Sequence, residues 1–110
     1  MAENLYDSSE LIELRRSDGQ PAGYTTILNL IQFPKAVELI QLKTLYPTKE
    51  DYDNALVWSA ELLERGTPVP AIDLVISAIS VRLGLRLVTR DRHFRHVRSV
   101  AKELILRTGR

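Results

Sequence analysis

The segment from Ala71 to Leu83 constrains the fold more than any other. Ile72, Leu74, Val75, Ile76, Ala78, Ile79 and Val81 make it apolar nearly all round. A helix without a polar face is buried on most sides. Gly84 stops it, and Leu85-Arg86-Leu87-Val88-Thr89 follows as a short strand. The longest mostly apolar run, Leu74 to Val81, is far short of the roughly 20 residues that cross a bilayer, so no membrane association is expected.

Upstream, the chain alternates strand and helix signals. Asn4-Leu5-Tyr6 reads as a short strand. Asp7-Ser8-Ser9 then offers cap side chains ahead of Leu11, Ile12 and Leu14 on an apolar helical face. Ser17 to Pro21 is a turn cluster. Tyr24-Thr25-Thr26 is either a second strand or the start of a helix, and Ile27, Leu28, Leu30 and Ile31 follow as a short apolar helix. Pro34 suits the start of a further helix, which Val37, Leu39, Ile40 and Leu42 continue to about Leu45. Thr48 and Asp51 form a capping-box pattern ahead of an amphipathic helix that runs through Tyr52, Ala55, Leu56, Leu62 and Leu63 to Gly66. Asp91 suits the cap of a turn around Phe94, and the stretch from Val97 to Leu106 fits a helix or an edge strand. Such alternation predicts an α/β fold with a parallel sheet covered on both faces, in one domain over 1–110.

In such sheets ligands bind beyond the C-terminal strand ends. Asp7 follows the first strand, Asp91 follows Leu85–Thr89 after one residue, and Asp73 lies in the first turn of the buried helix. Each has a plain use as a cap or a helix-dipole partner. Together in one cleft they would repel one another, and a shared cation would compensate. The absence of Cys excludes a disulfide scaffold and thiolate sites and fits a reducing compartment. Oxygen ligands suit Mg²⁺ or Mn²⁺.

Charge is uneven. Residues 82–110 carry nine Lys and Arg against Asp91 and Glu103, whereas residues 1–81 carry six against twelve acids. A basic end can supply phosphate contacts or simply form a solvated surface. Met1-Ala2-Glu3-Asn4 does not read as a signal peptide.

The run Gly66-Thr-Pro-Val-Pro-Ala-Ile-Asp73, its apolar helix, Gly84-Leu, the strand, and Thr89-Arg-Asp91-Arg-His-Phe94 closely resembles the PIN-domain pattern. Tyr6-Asp7-Ser8-Ser9 resembles that family's opening strand with its Asp and hydroxyl. The resemblance implies a three-layer α/β/α PIN-like fold with a short, mostly parallel central sheet. It matches Asp7, Asp73 and Asp91 to acidic metal-site positions, Thr89 to a polar neighbour and Ser9 to the hydroxyl near the first Asp. The family also places a Glu on the helix after the second strand, where this chain has Gln32. Gln keeps a carbonyl ligand but lacks the charge and cannot act as a base. His93 stands where many members carry another acid, and it would lean the site towards Mn²⁺.

The activity so implied is that of a VapC-type toxin: a Mg²⁺- or Mn²⁺-dependent endoribonuclease in the cytoplasm, with water as nucleophile. Asp7, Asp73 and Asp91 would be catalytic and, with Gln32, hold the metal; Ser9, Thr89 and His93 would support them. Arg90, Arg92 and Arg95 would hold RNA phosphates. The implied partners are RNA, a cognate antitoxin and a second copy of the chain in a homodimer; Leu11, Ile12, Leu39 and Ile40 could line such an interface, although core packing is the first use expected of each. Gln32 motivates an alternative: a PIN-like domain that binds RNA or a partner without cutting. A flavodoxin-like signalling domain would need a Lys near the strand-end Asp, yet none lies between Lys49 and Lys102.

Overall fold

The computed structural model describes residues 2–108. Met1 and Arg110, which entered the N-terminal and charge readings, lie outside them. Strand β1 (Asn4–Tyr6) leads into α1 (Ser8–Arg16). Strand β2 (Gly23–Thr26) is followed by α2 (Ile27–Gln32), a 3-10 segment (Pro34–Glu38) and β3 (Leu42–Leu45). Helices α3 (Lys49–Glu64) and α4 (Ala71–Leu83) precede β4 (Arg86–Thr89), α5 (Phe94–Val100) and β5 (Ile105–Thr108). The sheet has five strands in the order β3-β2-β1-β4-β5, and every pairing is parallel.

The strands are short, and alternation sends neighbouring side chains to opposite faces. Leu5, Leu87 and Leu106 join α3, α4 and α5 in the larger core, which includes Trp58, Leu62, Leu74, Ile76, Ile79, Phe94 and Val97. Tyr6 and Leu42 face the other way, onto Leu11, Leu14, Leu30, Phe33, Ala36 and Leu39. Helices therefore cover both faces, as the α/β/α reading expects. The polar groups of buried α4 are satisfied locally: Ser77 Oγ donates to the Asp73 carbonyl and Ser80 Oγ to the Leu85 carbonyl, each at 2.8 Å. Gly84 ends α4 with φ 65°, a left-handed conformation that favours glycine. Gly23 has φ 138°, and a Cβ there would lie 2.8 Å from the Asn4 carbonyl oxygen, so β2 can pair with β1 only with glycine at this point.

Helix α3 opens with the expected capping box, in which the Thr48 side chain and Asp51 each accept from the other's backbone N–H. Asp51 does more. It is fully buried, and its two oxygens accept from Nε and Nη2 of Arg82 on α4, both at 2.9 Å. The bidentate pair clamps α3 to α4.

Two expectations need correction. The helix expected from Pro34 to about Leu45 is a 3-10 turn followed by strand β3. Pro34 starts the turn, but Leu39 closes it in a non-helical conformation, and the next apolar residues pair with β2. Asp91 does not cap α5: the cap position is His93, without a side-chain cap hydrogen bond. The ambiguous stretch from Val97 to Leu106 holds the end of α5 and the start of β5. Among the suggested interface residues, Leu11 and Leu39 are buried in the core, whereas Ile12 and Ile40 are exposed.

Candidate active site

The chain runs outward from β1 to β3, then crosses to the other side of β1 for β4 and β5. That reversal makes a crevice at the C-terminal ends of β1 and β4, the usual ligand position in open α/β sheets. Asp7 sits at the end of β1, its N–H bonded to the Val88 carbonyl at 2.9 Å. Thr89 ends β4 and Asp91 follows it. Asp73 enters from the first turn of α4.

Asp7 is buried and its carboxylate is held from both sides. Oδ1 accepts from Asn29 Nδ2 at 2.9 Å. Oδ2 accepts from Thr89 Oγ1 at 2.8 Å and Ser9 Oγ at 3.1 Å. Ser9 also accepts from the Arg90 backbone N–H at 2.9 Å, which ties the loop after β4 to the start of α1. Ser9 and Thr89 thus both hydrogen-bond the same oxygen of the Asp7 carboxylate.

Asn29 was not singled out by sequence, although it is fully buried. It receives a hydrogen bond from Thr26 Oγ1 at 2.7 Å and donates to Ser8 Oγ at 3.0 Å as well as to Asp7. The available signal was a polar residue inside the apolar run Ile27–Ile31, three places after a capping Thr. Gln32 lies one turn further along α2, exposed, and its Oε1 accepts from Ser8 Oγ at 2.6 Å. It reaches the residue beside Asp7 rather than Asp7 itself.

Asp73 pairs with His93, Nε2 to Oδ2, at 2.6 Å, and the imidazole stacks on Phe94. Burial pushes the Asp73 carboxyl above its ordinary pKa; His93 opposes this, and the charges of Asp7 and Asp91 add to the rise. Asp73 thus feels the negative charge of both Asp7 and Asp91. Asp91 is exposed at the rim, its N–H bonded to Thr89 Oγ1 at 3.1 Å. Arg92 and Arg95 are exposed nearby, while Arg90 is paired with Glu10 at 3.0 Å.

The donor chemistry fits a hard divalent cation: oxygens near one another, with mutual repulsion that a cation would relieve. It is not a preformed cage, since among the described residues no three acidic or His side chains are grouped to hold a metal. A raised carboxyl pKa means that ionised Asp73 destabilises the fold above its folded pKa. Asp73→Asn should therefore raise the melting temperature by a few degrees at neutral pH, read by calorimetry. An equally large rise at pH 3, where the wild-type carboxyl is already protonated, would contradict this cause.

No family model matches the sequence, and no curated protein does. Solved structures do. A chain of VapBC-5 from Mycobacterium tuberculosis, a member of the VapBC family of toxin–antitoxin systems, superposes with a TM-score of 0.75 at 18% identity, over 99% of this chain and 100% of that one. VapBC-1 from nontypeable Haemophilus influenzae gives 0.72 at 16% identity over 96% of each chain. DNA-bound VapBC from Salmonella typhimurium gives 0.70 at 17% identity over 98% of each. The chain has the PIN-like fold. Within it, the crevice holding Asp7, Asp73 and Asp91 is the place where the sheet topology puts a ligand. Among the described residues no helix is long and apolar enough to cross a membrane.

Proposed function

We propose that the chain is a PIN-type endoribonuclease that hydrolyses RNA phosphodiester bonds with Mg²⁺ or Mn²⁺, and that it is the toxin of a type II toxin–antitoxin pair. The observation that carries the reading is topological: Asp7 follows β1, Asp91 follows β4 and Asp73 lies in the first turn of α4, at the crevice where the strand order reverses. A cation held by Asp7 and Asp73, with Asp91 at the rim, would supply positive charge to the attacked phosphate and the departing oxygen. Asn29, Ser9 and Thr89 fix the plane of the Asp7 carboxylate, so that little reorganisation accompanies the reaction. His93 orients Asp73. Arg92 and Arg95 would take phosphates beside the cleft, and Gln32 would complete the pocket through Ser8.

The partners follow from the same reading. The fold neighbours are VapBC toxin–antitoxin structures, which supports a cognate antitoxin; the same reading takes the toxin to be a homodimer working in the cytoplasm. A groove of about 290 Å³ beside the 3-10 segment, of mixed character and lined by Thr25, Leu30, Val37, Leu39, Ile40 and Thr44, is a candidate seat for the antitoxin.

Gln32 favours a second reading, a PIN-like domain that binds but does not cut. Gln32→Glu separates the two when cleavage of a single-stranded RNA is followed with Mn²⁺. The nuclease reading expects a measurable wild-type rate and about a tenfold gain on restoring the charge, of the size seen when residues around a metal are altered. A silent wild type and an active Gln32→Glu variant would make the natural chain a binder.

A further inference from the structure

Two sets of cations stand out in the basic C-terminal end. Arg82 is held by Asp51, Arg86 donates Nε to Asn4 Oδ1 at 2.8 Å, and Arg90 pairs with Glu10. These cations are engaged within the fold. Arg95, Arg98 and Lys102 are exposed, and none forms an ion pair among the described residues. Phe94, Val97 and Ala101 turn into the core, so Arg95, Arg98 and Ser99 share the outer face of α5. Arg65, at the end of α3, reaches the same face and donates Nη1 to Ser99 Oγ at 3.5 Å. Glu103 is the one acid between Arg92 and Thr108. The surface begins at the candidate active site, because α5 starts immediately after Asp91 and His93.

We propose that Arg65, Arg95 and Arg98 form a track for the phosphates of a single RNA strand leaving the cleft. The proposal rests on the nuclease reading and extends it beyond the pocket. Guanidinium groups bind phosphate oxygens through paired N–H donors. Of the rings on α5, Phe94 is buried and only the His96 imidazole is exposed, and phosphate contacts carry no sequence information. The track therefore holds backbone without reading sequence, and its contribution depends strongly on salt.

The test measures fluorescence anisotropy of a labelled single-stranded RNA in EDTA, so that no cleavage is involved, across a salt series. The triple variant Arg65→Gln, Arg95→Gln, Arg98→Gln is compared with wild type and with Arg16→Gln on α1. At roughly 0.7 log units of slope per phosphate contact on a single strand, the triple variant should flatten the log K against log salt slope by about 2. Its affinity near 100 mM salt should fall about 100-fold, while Arg16→Gln stays at wild type. Circular dichroism and thermal melting check that the triple variant is folded; Arg95→Gln with Arg98→Gln serves if it is not, with a slope change of about 1.4. An unchanged slope in a folded variant overturns the proposal. So does an equal loss for duplex DNA and heparin, which would make the surface a general polyanion patch. Failure of the nuclease reading looks different: no cleavage with Mn²⁺, whatever the slope.

Discussion

Asp7→Asn is expected to lower RNA cleavage by about 100-fold or more, an increase in barrier of about 2.7 kcal/mol. The substitution keeps size and shape, and the neighbours can adapt. Ser9 and Thr89 are hydroxyls that can accept as well as donate, so both can turn to meet an amide. Asn29 retains its bonds to Thr26 and Ser8. What disappears is the negative charge at the end of β1, which the proposed cation requires. A melting temperature within a few degrees of wild type would show that the loss is chemical. Cleavage at the wild-type rate would remove Asp7 from the machinery.

Asp51→Asn should have the largest effect on stability. Asp51 is fully buried, while the Arg82 side chain is 23% exposed. Removing one partner of a buried ion pair leaves the other uncompensated, at a cost of about 3 kcal/mol. For a chain of this size that corresponds to a fall in melting temperature on the order of 10 °C. The effect also has a pH signature. Burial, the largest single influence, raises the Asp51 carboxyl, but Arg82 and Thr48 together outweigh it and hold the group below its ordinary 3.8. A depressed carboxylate contributes stability above its unfolded pKa and loses it as pH falls through the folded value. Wild type should thus exceed Asp51→Asn by the full difference in urea denaturation at pH 7, and the gap should narrow as pH falls from the ordinary 3.8 through the lower folded value. A variant as stable as wild type at pH 7 would mean that the capping box alone carries this helix start.

The parts of the fold that were legible in sequence are those with strong local signals. Helix α4 could be read because its apolar residues leave no polar face, and β4 because Gly84 separates it from that helix. Asp7, Asp73 and Asp91 could be read because each follows or opens such an element. Strand β3 could not. Its Lys43 and Thr44 are exposed at a sheet edge, and Leu39, Leu42 and Leu45 are spaced as a helix would space them, so the helical reading won until pairing with β2 overrode it. Asn29 was hidden for a different reason. A buried amide is sensible only beside Asp7, which lies 22 residues away in sequence. Arg82 looked like part of a basic tail because its partner lies 31 residues upstream.

The account stands on a divalent cation at the crevice between β1 and β4. Anomalous diffraction from crystals soaked in Mn²⁺ measures that directly. The account predicts a peak within ligand distance of the Asp7 and Asp73 carboxylates, with Asp91 turned towards it, and no peak in Asp7→Asn crystals soaked alike. A well-ordered crevice without a peak at saturating Mn²⁺ would contradict it.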